Sequence, residues 1–144
     1  MKQSKFTLEV VEFIPEQLDD GILYVSKKYS TAVHACACGC GEEVVTPLNP
    51  TDWIFKSEKA GPSLHPSVGN WSYKCQSHYF IRRGKVVWAG RWTSDQITKE
   101  RARDLSSKYH HFEDVNRGKK KTGIGLLIKA KSVLRQWYRK FFKS

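Results

Sequence analysis

The hydrophobic positions change their period once along the chain. From Phe6 to Ile14, apolar and polar residues alternate until Pro15, the two-residue period of a strand with one buried face. Asp19-Asp20-Gly21 then turns into Ile22-Leu23-Tyr24-Val25-Ser26, and a third run, Thr31 to Cys36, leads into a cysteine-rich segment. Val44-Val45-Thr46 leaves that segment, and Trp53-Ile54-Phe55 follows Pro47 and Pro50. Residues 60–70, rich in Gly, Pro and Ser, read as a loop. Beyond them, His78-Tyr79-Phe80-Ile81 and Lys85-Val86-Val87-Trp88-Ala89 flank Arg82-Arg83-Gly84, which predicts a β-hairpin.

In the second half the strand period disappears. Thr93-Ser94-Asp95-Gln96 offers a capping residue with Gln three places on, which predicts a helix over 94–108. Residues 113–123, EDVNRGKKKTG, read as a solvated linker. From Ile124 the sequence becomes amphipathic. Leu127, Ala130, Val133, Leu134, Trp137, Tyr138 and Phe141 share one side at helical spacing, and Lys131, Arg135, Arg139 and Lys143 another. The expected architecture is therefore α+β and mainly β. A small antiparallel sheet core and the helix near 94–108 occupy residues 1–112, the linker 113–123 and a basic amphipathic tail helix 124–144.

Charge modifies this picture through its distribution. Ten of the 25 Lys and Arg residues lie from Arg117 onward, where none of the 14 acidic residues falls. The first 116 residues thus carry only +1 of the total +11, so the basic character belongs to the tail and says little about the β-rich part. A basic tail helix suits docking on protein, and it also fits an anionic membrane surface or the phosphates of a nucleic acid. The opening MKQSKFTLEVVEF has no secretory pattern, and no apolar run is long enough to cross a bilayer. The expected location is cytoplasmic, where thiols stay reduced and clustered cysteines more often bind metal than form bridges.

The segment AVHACACGCGEEVV, residues 32–45, holds three of the four cysteines at alternate positions. Were it fully extended, His34, Cys36, Cys38 and Cys40 would form a row roughly 20 Å long, which one ion with Zn–S bonds of about 2.3 Å cannot span. The backbone must curl, and Gly39 and Gly41 allow it because glycine accepts positive φ. Cys75 is the distant fourth thiol. The first-choice ligand set is Cys36, Cys38, Cys40 and Cys75, with His34 or His78 as substitutes for one of them. Four thiolates are the pattern of structural zinc rather than catalytic zinc.

Between the metal segments lies GPSLHPSVGNWSYKCQSHYFI, residues 61–81. Ser63, Ser67 and Ser77 are possible nucleophiles, with His65 and His78 as bases. Acyl transfer needs a hydroxyl within reach of an oriented imidazole. Ser67 with His78 is the favoured pair, with Asn70 or Asp52 to orient or polarise. The competing reading is that these serines merely cap and turn the chain.

The succession GILYVS, HACACGCGEEVVTPL, DW, PSVGNW, CQSHYFI and VVWA resembles the bacterial domain of unknown function 6527 family, over roughly Phe6 to Ala89. Members are encoded beside ubiquitin-like conjugation components. The resemblance implies a zinc-binding partner of a ubiquitin-like modifier and its conjugation enzymes, with a serine peptidase that processes or removes the modifier as the favoured role. Its motifs assign the metal to the knuckle cysteines and Cys75, and reactivity to the PSVGNW and SHYFI segments. The alternative is a non-catalytic zinc module that recruits a modifier, a membrane or nucleic acid.

Overall fold

In the computed structural model, which describes residues 1–142 and the side chains of residues 1–119, the alternating segments become eight strands. They are β1 (Thr7–Val10), β2 (Ile22–Ser26), β3 (Thr31–Ala35), β4 (Glu43–Pro47), β5 (Ile54–Glu58), β6 (Gly61–Gly69), β7 (His78–Arg82) and β8 (Lys85–Trp88). Two four-stranded sheets result, in the orders β1-β2-β3-β4 and β5-β6-β7-β8. Six neighbouring strands pairs are formed, and all but β1–β2, which is parallel, are antiparallel. The fold is α+β and mainly β, and it carries a cysteine cluster.

The two sheets share one core. Leu23 and Val25 of β2, Ala32 of β3 and Val44 of β4 meet Leu64 and Val68 of β6 and Tyr79 and Ile81 of β7. Alternation explains the choice of residues, since successive side chains leave a strand on opposite faces. Burying each such aliphatic side chain contributes about 1.5–3 kcal/mol. The outer face of the second sheet is left to Lys56, His65, Ser67, Phe80 and Arg82, none of which is in that core.

Two expectations are corrected. Residues 60–70 are not a loop, because Gly61–Gly69 is the longest strand of the fold. Its core positions Leu64 and Val68 are diluted by Ser, His and Pro, so the apolar alternation is hard to see. The strand is also irregular: the five residues of β6 from Leu64 to Val68 oppose only three of β7, from Ile81 to Tyr79. That bulge contains Pro66, whose missing N–H would break a regular ladder. The second correction concerns the linker: one helix, α1 (Ser94–Phe142), runs straight through residues 113–123. Lysine and arginine are good helix formers, and Arg117 pairs with Glu113 one turn earlier at 3.9 Å.

The start of α1 follows the sequence signal closely. The Gln96 N–H donates to Thr93 Oγ1 at 3.3 Å, and the Thr93 N–H donates to Gln96 Oε1 at 2.9 Å, a reciprocal capping box. The chain divides into two compact units, residues 1–100 with both sheets and residues 101–144 with most of α1. The amphipathic face expected of Leu127, Trp137, Phe141 and their neighbours lies outside the residues whose side chains are described. Among the described residues, no helix is long and apolar enough to cross a membrane.

Candidate functional site

Two polar compartments lie on opposite sides of the start of β7. The first is the cysteine cluster. β3 ends at Ala35, and the chain then curls: the Cys36 N–H donates to Glu42 O at 2.8 Å and the Gly39 N–H to Cys36 O at 2.9 Å. Gly39 has φ +80, and a Cβ there would come within 2.6 Å of the Met1 backbone, so only glycine fits. The loop between β6 and β7 brings the fourth thiol. It is closed by the Asn70 N–H donating to Ser77 O at 2.9 Å and the Gln76 N–H donating to Tyr73 O at 3.0 Å. The Tyr73 hydroxyl donates to Glu43 O at 2.6 Å, which ties this loop to β4.

As a result the sulfurs of Cys36, Cys38, Cys40 and Cys75 lie within 4.8 Å of one another. Cys36 Sγ is 3.4 Å from Cys38 Sγ and 4.0 Å from Cys75 Sγ. A tetrahedron with metal–sulfur bonds of about 2.3 Å has edges of about 3.8 Å, so the four thiols fit a single ion such as zinc. Hydroxyl and amide groups surround them. Ser77 Oγ is 3.1 Å from Cys36 Sγ and 3.5 Å from Cys75 Sγ, and Asn70 Nδ2 donates to Ser77 Oγ at 2.9 Å and to Cys36 Sγ at 3.4 Å. Burial works against the Cys75 thiolate, but hydrogen bonds with Ser77, Cys38 and Cys40 together outweigh it and bring its pKa down to about 7.

Neither histidine joins this cluster. His34 is buried in the core, where its Nε2 meets the Tyr79 hydroxyl at 2.8 Å and Phe6 packs edge-on against its ring. Burial disfavours its charged form and pushes its pKa down to about 3.

His78 forms the second compartment, on the other face of β7. Its Nδ1 lies 3.0 Å from the carbonyl oxygen of Gly90, just beyond β8. A carbonyl can only accept, so Nδ1 carries the proton and Nε2 presents its lone pair. That lone pair faces Ser67 Oγ at 2.9 Å, within the reach needed for proton transfer. The β6 bulge places Ser67 beside Gly69, the residue paired with His78. Aromatic rings hold the imidazole: Trp71 and Trp92 each lie 4.9 Å from it and stack on one another at 5.3 Å. A Cβ on Gly69 would meet the Trp71 indole at 2.5 Å, so glycine is what allows that ring to lie so close. His78 is only 5% exposed, whereas Ser67 is half-buried and open to the outer face.

The structure thus brings Ser67 and His78 together, and the four cysteines together. It does not bring Asn70 to the imidazole, since that side chain faces Ser77 and Cys36. Asp52 accepts a hydrogen bond from Asn49 Nδ2 at 2.6 Å within a turn. Ser63 is bound to Glu58, and Ser77 stands on the cysteine side. The group that orients His78, the Gly90 carbonyl, was missed because a backbone acceptor leaves no trace in residue type. Trp71 and Trp92 were missed as well, although the repeated glycine-to-tryptophan spacing of GNW and GRW was visible.

A sequence model of the family described as bacterial ubiquitination-like system serine protease (BubE) matches residues 10–89, more than half the chain. It covers all four cysteines, Ser67 and His78. No curated protein and no solved structure matches. The match agrees with the setting implied by the sequence resemblance, a bacterial ubiquitin-like system, though under this description rather than that of a domain of unknown function. The chain belongs to the BubE family of bacterial ubiquitination-like system serine proteases.

Proposed function

We propose that the protein is a zinc-stabilised serine peptidase of the cytoplasm that processes a bacterial ubiquitin-like modifier or removes it from its targets. The observation that carries this reading is the Ser67 Oγ to His78 Nε2 contact of 2.9 Å, on an imidazole whose tautomer the Gly90 carbonyl fixes. Ser67 Oγ attacks the carbonyl carbon that ends the modifier, and His78 Nε2 takes the hydroxyl proton. The tetrahedral intermediate then collapses, the C–N bond breaks, and the leaving amine takes that proton from Nε2. A water molecule, deprotonated by His78, hydrolyses the resulting ester and frees Ser67.

Cys36, Cys38, Cys40 and Cys75 would hold the ion. A set of four thiolates leaves no position for a reacting water, so the metal supplies rigidity. Asn70, expected to act on the histidine, is assigned instead to the shell around the sulfurs, where its amide donates to Ser77 Oγ and Cys36 Sγ.

The test is incubation of the full chain with a modifier that carries a C-terminal extension. Wild-type protein should release the extension, and Ser67→Ala and His78→Ala should each lower the rate by at least about a thousandfold. Intact substrate after incubation with wild type argues against the peptidase, and cleavage by Ser67→Ala argues against this serine.

A further inference from the structure

The outer face of the second sheet does not end at Ser67 and His78. Beside them a groove of about 470 Å³ opens across β5, β6 and β7. Its walls include Ile54 and Lys56 of β5, His65 of β6 and Arg82 at the end of β7. Phe80 stands between His78 and Arg82 on the same face, and the Arg82 guanidinium lies 4.2 Å over its ring. Ile54 is 49% exposed. The groove therefore has Ile54 as an exposed apolar wall and a charged far end, and Phe80 borders it on the same face.

The charge has one sign once internal pairing is counted. Glu58 is the carboxylate of the groove, and it accepts from Ser63 Oγ and pairs with Arg83 Nε at 3.5 Å. The Ser63 hydrogen bond, followed by the Arg83 charge, holds its pKa below the ordinary value. Lys56 and Arg82 remain as excess positive charge. Along the regular strand β7 each residue advances about 3.3 Å, so Arg82 lies roughly 13 Å from His78, and across the β6 bulge His65 precedes Ser67 by two residues. An extended chain whose carbonyl carbon sits at Ser67 Oγ would reach the basic end in about three or four residues.

We propose that this groove takes an extended acidic segment of the substrate, the three or four residues that precede the cleaved bond. The proposal rests on the serine peptidase reading for its direction, and it deepens that reading by naming what the modifier's tail must look like. Aliphatic contact over Phe80 and Ile54 supplies affinity. Lys56 and Arg82 select acidic over basic residues, since like charges across an interface are strongly disfavoured.

The experiment separates binding from catalysis. Isotope-labelled full-length protein with Ser67→Ala is titrated with two hexapeptides that differ only at the third and fourth residues from the C-terminus, which are Glu in one and Lys in the other. The acidic peptide should bind at least tenfold tighter, shift the amide signals of Lys56, His65 and Arg82, and lose its advantage at high salt. Doubly substituted Lys56→Glu, Arg82→Glu protein should prefer the lysine peptide. Equal affinities, or shifts confined to residues away from this face, overturn the proposal. In parallel, a fluorophosphonate probe is applied to wild type: an unlabelled Ser67 alongside selective acidic binding would sink the peptidase reading and leave the groove standing.

Discussion

At the scale of single residues, the reactive pair depends on groups that carry no chemistry of their own. The Gly90 carbonyl sets which nitrogen of His78 is free, and the indoles of Trp71 and Trp92 set where it points. Gly69 is the most sensitive point of that arrangement. Gly69→Ala would drive a methyl group into the Trp71 ring, so kcat/KM should fall at least tenfold while circular dichroism stays native; an unchanged rate would show that the indole does not position the imidazole. Asn70 should behave in the opposite way. Asn70→Ala leaves Ser77 without its 2.9 Å donor in a buried setting, which should cost about 1–3 kcal/mol in denaturant unfolding. Fluorophosphonate labelling of Ser67 should survive in the folded fraction of that variant.

At the scale of elements, legibility tracked regularity. β2, β3 and the β7–β8 hairpin were visible because two-residue alternation and turn residues agreed. β6 is hidden because a proline-containing bulge interrupts the alternation where Ser67 is presented, so the feature that brings Ser67 to His78 is the one that obscures the strand. The cysteine grouping was readable from spacing and glycine placement, since a curled knuckle is a local matter. His34 was harder to assign: only the tertiary contact with Tyr79 shows that it belongs to the core. The helix start was legible for the same reason as the knuckle. Removal of the cap by Thr93→Ala should lower helix stability by about 1 kcal/mol, seen as reduced helical ellipticity on mild heating. Gly118 and the lysines suggest solvated coil at 113–123, yet the helix continues because glycine costs only about 1 kcal/mol there and neighbouring good formers absorb it.

At the scale of the molecule, the family match spans residues 10–89, which hold β2 to β8, the thiol cluster and the Ser67–His78 pair. Most of the excess positive charge lies beyond it. Within the sheets, the thiol cluster joins the end of β3 to the loop before β7, parts of the sequence separated by the whole of β4, β5 and β6. One ion held there would act as a long-range crosslink. Elemental analysis should find one zinc per chain, and a strong chelator should lower the melting temperature and abolish fluorophosphonate labelling together; full labelling of metal-free protein would show that the crosslink is dispensable.

Ser77 and His78 are consecutive, and successive side chains of an extended chain leave it in opposite directions. One peptide unit is therefore the partition between the two compartments, with Ser77 against the sulfurs and His78 against Ser67. Loss of the ion, unlike loss of one hydrogen bond around it, would release the whole sulfur side and the imidazole with it, and proton transfer tolerates only about half an ångström of error. Hydrolytic competence should thus report whether the ion is in place well before the sheets come apart, which would keep a peptidase silent until it has been loaded with metal.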